Sequence, residues 1–150
     1  MRSTLFALIL TGLAAPASAA QFFYFNLINE NFVRLGDPLE YHVVVTAGAT
    51  PAPSTSIVDP LPAGLELVPG SLVCYVPPGT ADCSYDAPSR TVSWAGDLAA
   101  YEGVDMLFSV TTTGLTEPGY FTNTVTGSAT GYTTEQLSLI HISEPTRPKR

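Results

Sequence analysis

The sequence predicts an all-β protein folded as a two-sheet sandwich, and three observations carry that expectation. Apolar and polar residues alternate with period two in several segments, turn residues separate those segments at short intervals, and no helical period competes beyond residues 1–20. Such alternation gives each strand one face to bury, and two sheets packed together cover several of those faces at once.

Residues 1–20 read as a secretory signal. Arg2 supplies the basic start, residues 5–15 a short apolar run, and Ala17-Ser18-Ala19-Ala20 a small-residue cleavage site, so the mature chain should begin at Ala20 or Gln21. An uncleaved N-terminal anchor is the alternative reading. A run of about eleven residues is short of the roughly 20 that cross a bilayer, and no cysteine follows to accept a lipid. No later segment suits a membrane span either.

Residues 21–136 have the length of one domain with a single core. The segment opens on Phe22-Phe23-Tyr24-Phe25, four aromatics that cannot all face that core because successive strand residues point to opposite faces. Either half of them pack against a neighbouring domain or partner, or the strand is covered on both sides. Next, Leu39, Tyr41, Val43 and Val45 alternate with Glu40, His42, Val44 and Thr46, a clear strand. The stretch over residues 51–65 is punctuated differently. Pro51 and Pro53 read as turn residues, Ile57 as part of a strand stopping at Asp59, and Pro60 and Pro62 as residues unfit for the middle of a ladder. Gly64 supplies the positive φ that reverses the chain, after which Leu65 and Leu67 alternate with Glu66. Leu61 and Leu65 would close one end of the core, and Asp59 would accept hydrogen bonds from loop amides in an Asx-type turn.

Further strands are expected near residues 72–76, 82–85, 90–95 and 120–129, and a second clear alternation sets Val104, Met106, Phe108 and Val110 against Asp105, Leu107, Ser109 and Thr111. Cys74 and Cys83 flank the turn signal Pro77-Pro78-Gly79. In an exported protein they should pair across a hairpin, contributing roughly 2–3 kcal/mol. Zinc would need ligands that only His42 and His141 could add. Trp94, the single tryptophan, is placed in the core beside Val92 and the bridge; a sugar-stacking platform is the functional alternative.

Between residues 21 and 136 the only bases are Arg34 and Arg90 against twelve carboxylates, a formal charge of −10. That field disfavours nucleic acid and anionic lipid as partners. It could gather calcium, with Asp82, Asp86, Asp97 and Asp105 as loose candidates, but the Asp-x-Asp-x-Asp-Gly spacing is missing. Catalysis finds little support: His42 sits in a strand, and neither Gly-x-Ser-x-Gly nor His-Glu-x-x-His occurs. Pairs such as Asp82 with Asp86, or Glu102 with Asp105, suit outward charges that protect exposed strands. We therefore expect no enzyme, no metal and no cofactor.

The order of features over residues 33–135 resembles the bacterial extracellular repeat called "domain of unknown function 11". The matching pieces are Gly36-Asp37-Pro38-Leu39-Glu40-Tyr41 with Val43-Val44-Val45, then Ala47-Gly48-Ala49-Thr50-Pro51-Ala52-Pro53, then Asp59-Pro60-Leu61-Pro62-Ala63-Gly64-Leu65. Val92-Ser93-Trp94, Leu98-Ala99-Ala100 and Phe121-Thr122-Asn123-Thr124-Val125 follow. The resemblance implies an immunoglobulin-like, antiparallel Greek-key sandwich of about seven strands, a secreted or surface module often found in tandem, without catalysis of its own. Two features depart from the family: Ala47 stands where it usually has asparagine, and only one repeat is present.

Residues 137–150 change composition abruptly, with Arg147, Lys149 and Arg150 clustered at the end. Leu137-Ser138-Leu139-Ile140-His141-Ile142-Ser143-Glu144-Pro145-Thr146-Arg147-Pro148 resembles the conceptual translation of a sequencing adapter, which would end the native sequence near Gln136. The other reading is a real edge strand with a basic tail, since Leu137 and Leu139 alternate. The function expected from all this is a structural or adhesion-supporting module of a secreted or cell-surface bacterial protein, flanked by neighbouring repeats or domains of its parent chain. The alternative is a module that binds carbohydrate or protein.

Overall fold

The computed structural model describes residues 22–28, 32–115 and 117–143. The signal reading of residues 1–20 and the basic end of the tail, residues 144–150, lie outside the described residues. Among the described residues eleven strands follow in order: β1 (Phe22–Ile28), β2 (Phe32–Arg34), β3 (Pro38–Ala47), β4 (Ala52–Pro60), β5 (Glu66–Leu67), β6 (Val73–Tyr75), β7 (Ser84–Asp86), β8 (Thr91–Leu98), β9 (Gly103–Thr111), β10 (Gly119–Ala129) and β11 (Tyr132–Ser143). Seven of them have seven residues or more, and the four short ones account for the excess over the seven expected. Among the described residues no helix is long and apolar enough to cross a membrane.

One sheet has the order β1-β3-β9-β5, with β6 also pairing β9; the other runs β2-β11-β10-β4-β8-β7. Every pairing is antiparallel except β2 with β11. The chain crosses repeatedly between sheets, so β3 pairs β9 and β4 pairs β10 across long sequence separations. This is an immunoglobulin-like sandwich.

The core lies where the inner faces meet. Leu39, Tyr41, Val43, Val45, Val104, Met106, Phe108 and Val110 from the first sheet pack against Ile57, Val92, Trp94, Leu98, Val125, Ile140 and Ile142 from the second, all buried. Each large side chain so buried contributes about 1.5–3 kcal/mol. Tyr41 and Phe108, directly opposite on β3 and β9, stack at 5.3 Å. Leu61 and Leu65 are buried as end plugs, and Gly64 between them has φ +87°.

Three expectations are corrected. Residues 52–53 do not form a turn, because β4 already starts at Ala52. It bulges between Ala52 and Thr55, with Ser54 at φ 53°, and the bulge accommodates Pro53, which has no N–H to give the ladder. Asp59 is not at a loop: it lies inside β4 opposite Val92 and is completely buried, so its carboxyl caps no turn. β6 and β7 do not form a hairpin, since β6 pairs β9 in one sheet and β7 pairs β8 in the other. The expected native boundary at Gln136 falls within β11, whose Ile140 and Ile142 are fully buried. β1 carries the Phe22-Phe23-Tyr24-Phe25 cluster as an edge strand on β3; the placing of its side chains is outside the described residues.

Candidate functional site

Cys74 and Cys83 are disulfide-bonded, with Cα atoms 6.0 Å apart. Cys74 belongs to β6 and Cys83 immediately precedes β7, so the bond joins the two sheets at their edge. The enclosed loop is organised by its own turn. Thr80 N–H and Thr80 Oγ1 both donate to the Pro77 carbonyl, at 3.2 and 2.8 Å, and Gly79 takes φ +83°. Trp94, 2 % exposed, holds the loop from beneath, its Nε1–H donating to the Ala81 carbonyl at 2.9 Å. A side chain so buried offers no stacking surface to a sugar.

Beside this loop the outer face of the first sheet presents six side chains in two rows. Val73, Leu107 and His42 form one row, and Tyr75, Asp105 and Val44 the other. Tyr75 is 64 % exposed, Val73 48 % and Leu107 37 %. On the diagonal of the grid, His42 Nε2 lies 2.6 Å from Asp105 Oδ1. Chemically this is a small apolar surface with one imidazole–carboxylate pair set into it. It suits stacking and van der Waals contact, with Asp105 and His42 available for polar contacts at its centre.

The carboxylates weighed for calcium do not converge. Asp82 accepts from Cys83 N–H, Asp97 from Ser54 N–H at 2.7 Å, and Asp105 faces His42. Asp86 accepts from the amide and hydroxyl of Ser89, which hold its carboxyl below the usual range. Each serves its local turn or strand. Among the described residues, Cys74, Asp82 and Cys83 do bring three potential ligand atoms together, but the disulfide occupies both sulfurs. His141 stacks on Tyr120 at 4.6 Å on the other sheet, far in the topology from His42.

Asp59 and Asn123 come together in the interior instead of at the surface. Burial pushes the Asp59 carboxyl up to about 7, and the Asn123 carboxamide beside it pulls the other way. Tyr41 reaches the same region from the opposite sheet; its phenol is pushed well above its ordinary range by burial and then by Asp59. The sequence marked Asp59 and Asn123 separately. It offered no signal that Tyr41 joins them, or that Tyr75 is the exposed aromatic beside the loop.

No family model and no curated protein matches the chain. Solved structures do share its fold. The collagen-binding domain of a Staphylococcus aureus adhesin superimposes with a TM-score of 0.56 at 10 % identity, covering 79 % of this chain and 97 % of that domain. Domains D2 and D3 of the major pilin SpaD from Corynebacterium diphtheriae give 0.57 at 10 % identity, covering 77 % of this chain and 50 % of that one. The collagen adhesin of S. aureus gives 0.52 at 12 % identity, covering 81 % and 48 %. The chain thus spans about half the length of the latter two.

Proposed function

We propose that this protein is a structural, adhesion-supporting module of a secreted or cell-surface bacterial protein, of the kind called domain of unknown function 11. The single observation that carries the reading is the Cys74–Cys83 bond between the two sheets. A covalent tie at the sandwich edge suits a part that stays folded in an oxidising medium and passes load between neighbouring domains. The sandwich fold that it shares with adhesin and pilin domains supports the same setting. Export through residues 1–20, tandem neighbours in the parent chain, and a foreign origin for residues 137–150 belong to this proposal.

The module acts without catalysis. His42 has a carboxylate beside it, yet an acyl-transfer or hydrolytic site would also need a nucleophile hydrogen-bonded to that imidazole and donors for an oxyanion. Asp105 is the partner the structure gives its Nε2.

A second reading rests on the exposed Tyr75, Val73 and Leu107: the face beside the disulfide loop binds a glycan or a protein. One comparison separates the two. The oxidised protein and a Tyr75→Ala variant are applied to glycan and matrix-protein arrays and pulled at constant speed before and after reduction. Absence of binding, with an unfolding force that drops on reduction, supports the load-bearing module. Binding lost in Tyr75→Ala at unchanged melting temperature supports the binding module.

A further inference from the structure

The interior polar cluster takes no part in the outer face or the loop. Tyr41 of β3, Asp59 of β4 and Asn123 of β10 lie between the two sheets at 1 %, 0 % and 0 % exposure. Neither carboxyl oxygen of Asp59, neither amide atom of Asn123, nor the Tyr41 hydroxyl makes a well-formed hydrogen bond. The surroundings are otherwise apolar. Asp59 is opposite Val92 on β8, and one further step of the β4–β10 register sets it opposite Val125; both valines are fully buried. Among the described residues, Tyr41 is the titratable group facing Asp59, from β3; β8 and β10 contribute Val92, Val125 and the uncharged Asn123. Asp59 is the single carboxyl, and no basic side chain accompanies it, among the buried described residues.

A carboxylate in that position has no counter-charge and only the Asn123 carboxamide beside it as a side-chain donor, and leaving a charge so placed is costly. A neutral carboxylic acid is tolerated far better, and its O–H gives Asn123 Oδ1 or the Tyr41 oxygen something to accept. We propose that Asp59 is a pH sensor built into the core: it is a neutral acid in the folded sandwich, and its ionisation as the medium rises from acid to neutral loosens the packing between β4, β10 and β3. The sign follows from linkage. With the folded carboxyl titrating at about 7 and the unfolded one at 3.8, the folded state keeps a proton that the unfolded state has released. Stability is therefore greatest below the unfolded value, declines as pH rises between about 4 and about 7, and levels off above. One proton across about three pH units makes the folding equilibrium constant fall by up to ~10³-fold.

The test is urea unfolding of the oxidised protein from pH 4 to 8.5, alongside Asp59→Asn. The wild-type midpoint should fall across the window, and Asp59→Asn should lack that fall while keeping whatever slope the surface carboxylates impose. Parallel profiles for the two proteins would overturn the proposal. A second measurement needs no variant: the side-chain carboxyl ¹³C shift of Asp59 in the folded wild type should titrate near neutrality, and a midpoint below pH 5 overturns the proposal equally.

Discussion

The Trp94 indole N–H donates to the Ala81 carbonyl at 2.9 Å, so the chain's one tryptophan is both a core side chain and the fastening of the disulfide loop. Its ring also fills the space over Gly96, where an added Cβ would sit 2.7 Å from the ring. Trp94→Phe keeps an aromatic in the core but removes the donor and part of the volume. The variant should lose about 1–3 kcal/mol in urea unfolding with an unchanged m-value. Amide exchange over residues 80–83 should quicken at the same time, because the loop loses its fastening while the disulfide remains.

The disulfide should contribute about 2–3 kcal/mol, as expected for a closed loop of this size. Because the bond runs between sheets, its removal also frees β6 and β7 to separate. Replacing Cys74 and Cys83 together with alanine should lower the thermal midpoint and raise protease cleavage within residues 77–83. Reduction of the wild type with a thiol should reproduce both effects; an unchanged midpoint would refute the staple.

Gly64 has φ +87°, and a Cβ built there would lie 2.3 Å from Leu115 Cδ2. Gly114 closes on the same spot, its own added Cβ falling 2.7 Å from the Gly64 carbonyl oxygen. Gly64→Ala therefore combines an unfavourable backbone conformation with a contact that the tip of the Leu115 side chain must move aside to relieve. A loss of about 1–3 kcal/mol is expected in chemical denaturation. Gly36 also has positive φ, at +97°, but meets nothing within 4 Å. Gly36→Ala should cost less, about 1 kcal/mol.

Much of the fold was legible in the sequence because period-two alternation is a local signal. Residues 39–46 and 104–111 read directly as β3 and β9, whose inner faces are buried as the pattern requires. The misreadings have physical causes. Pro51 and Pro53 are turn residues by propensity, and a bulge stabilised by Asp97 reaching Ser54 N–H from β8 cannot be seen locally. Asp59 looked like a turn acid because it precedes Pro60, whereas its burial comes from β8 and β10, distant in sequence. The pairing of Cys74 with Cys83 followed from compartment and spacing, but which sheet each half-cystine joins depends on β8 and β9. The Tyr75 face was invisible for the same reason: exposure of an aromatic on a three-residue strand is decided by its partner strand.

Thr112 is fully buried just beyond β9, and its hydroxyl works in both directions. It accepts from Gly36 N–H at 2.7 Å and donates to the Asp37 carbonyl at 3.0 Å, fixing the turn between β2 and β3. Thr112→Val keeps the shape and leaves two backbone groups without that partner. The expected cost is about 1–3 kcal/mol, with Thr112→Ser losing less. Equal losses in the two variants would show that the methyl group, not the hydroxyl, is what matters.

β11 continues without a break across Gln136, pairing β10 from Tyr132 to Ile142, and its end pairs β2 through His141, Ile142 and Ser143. Ile140 and Ile142 complete the core, while Leu137 and Leu139 on the alternate positions are 62 % and 60 % exposed. Ending the chain at Gln136 removes two buried isoleucines and the strand partner of β2. The truncated protein should lose more than about 4 kcal/mol, seen as a collapsed urea midpoint or as exposed apolar surface that binds a hydrophobic dye. The same geometry constrains the parent gene. If residues 137–150 are foreign, the genomic codons after Gln136 must still encode a strand with apolar side chains at the positions of Ile140 and Ile142, since the core between β10 and β2 demands them. Sequencing that locus checks this directly: a polar or proline-rich continuation would mean that this sandwich closes with a strand from elsewhere.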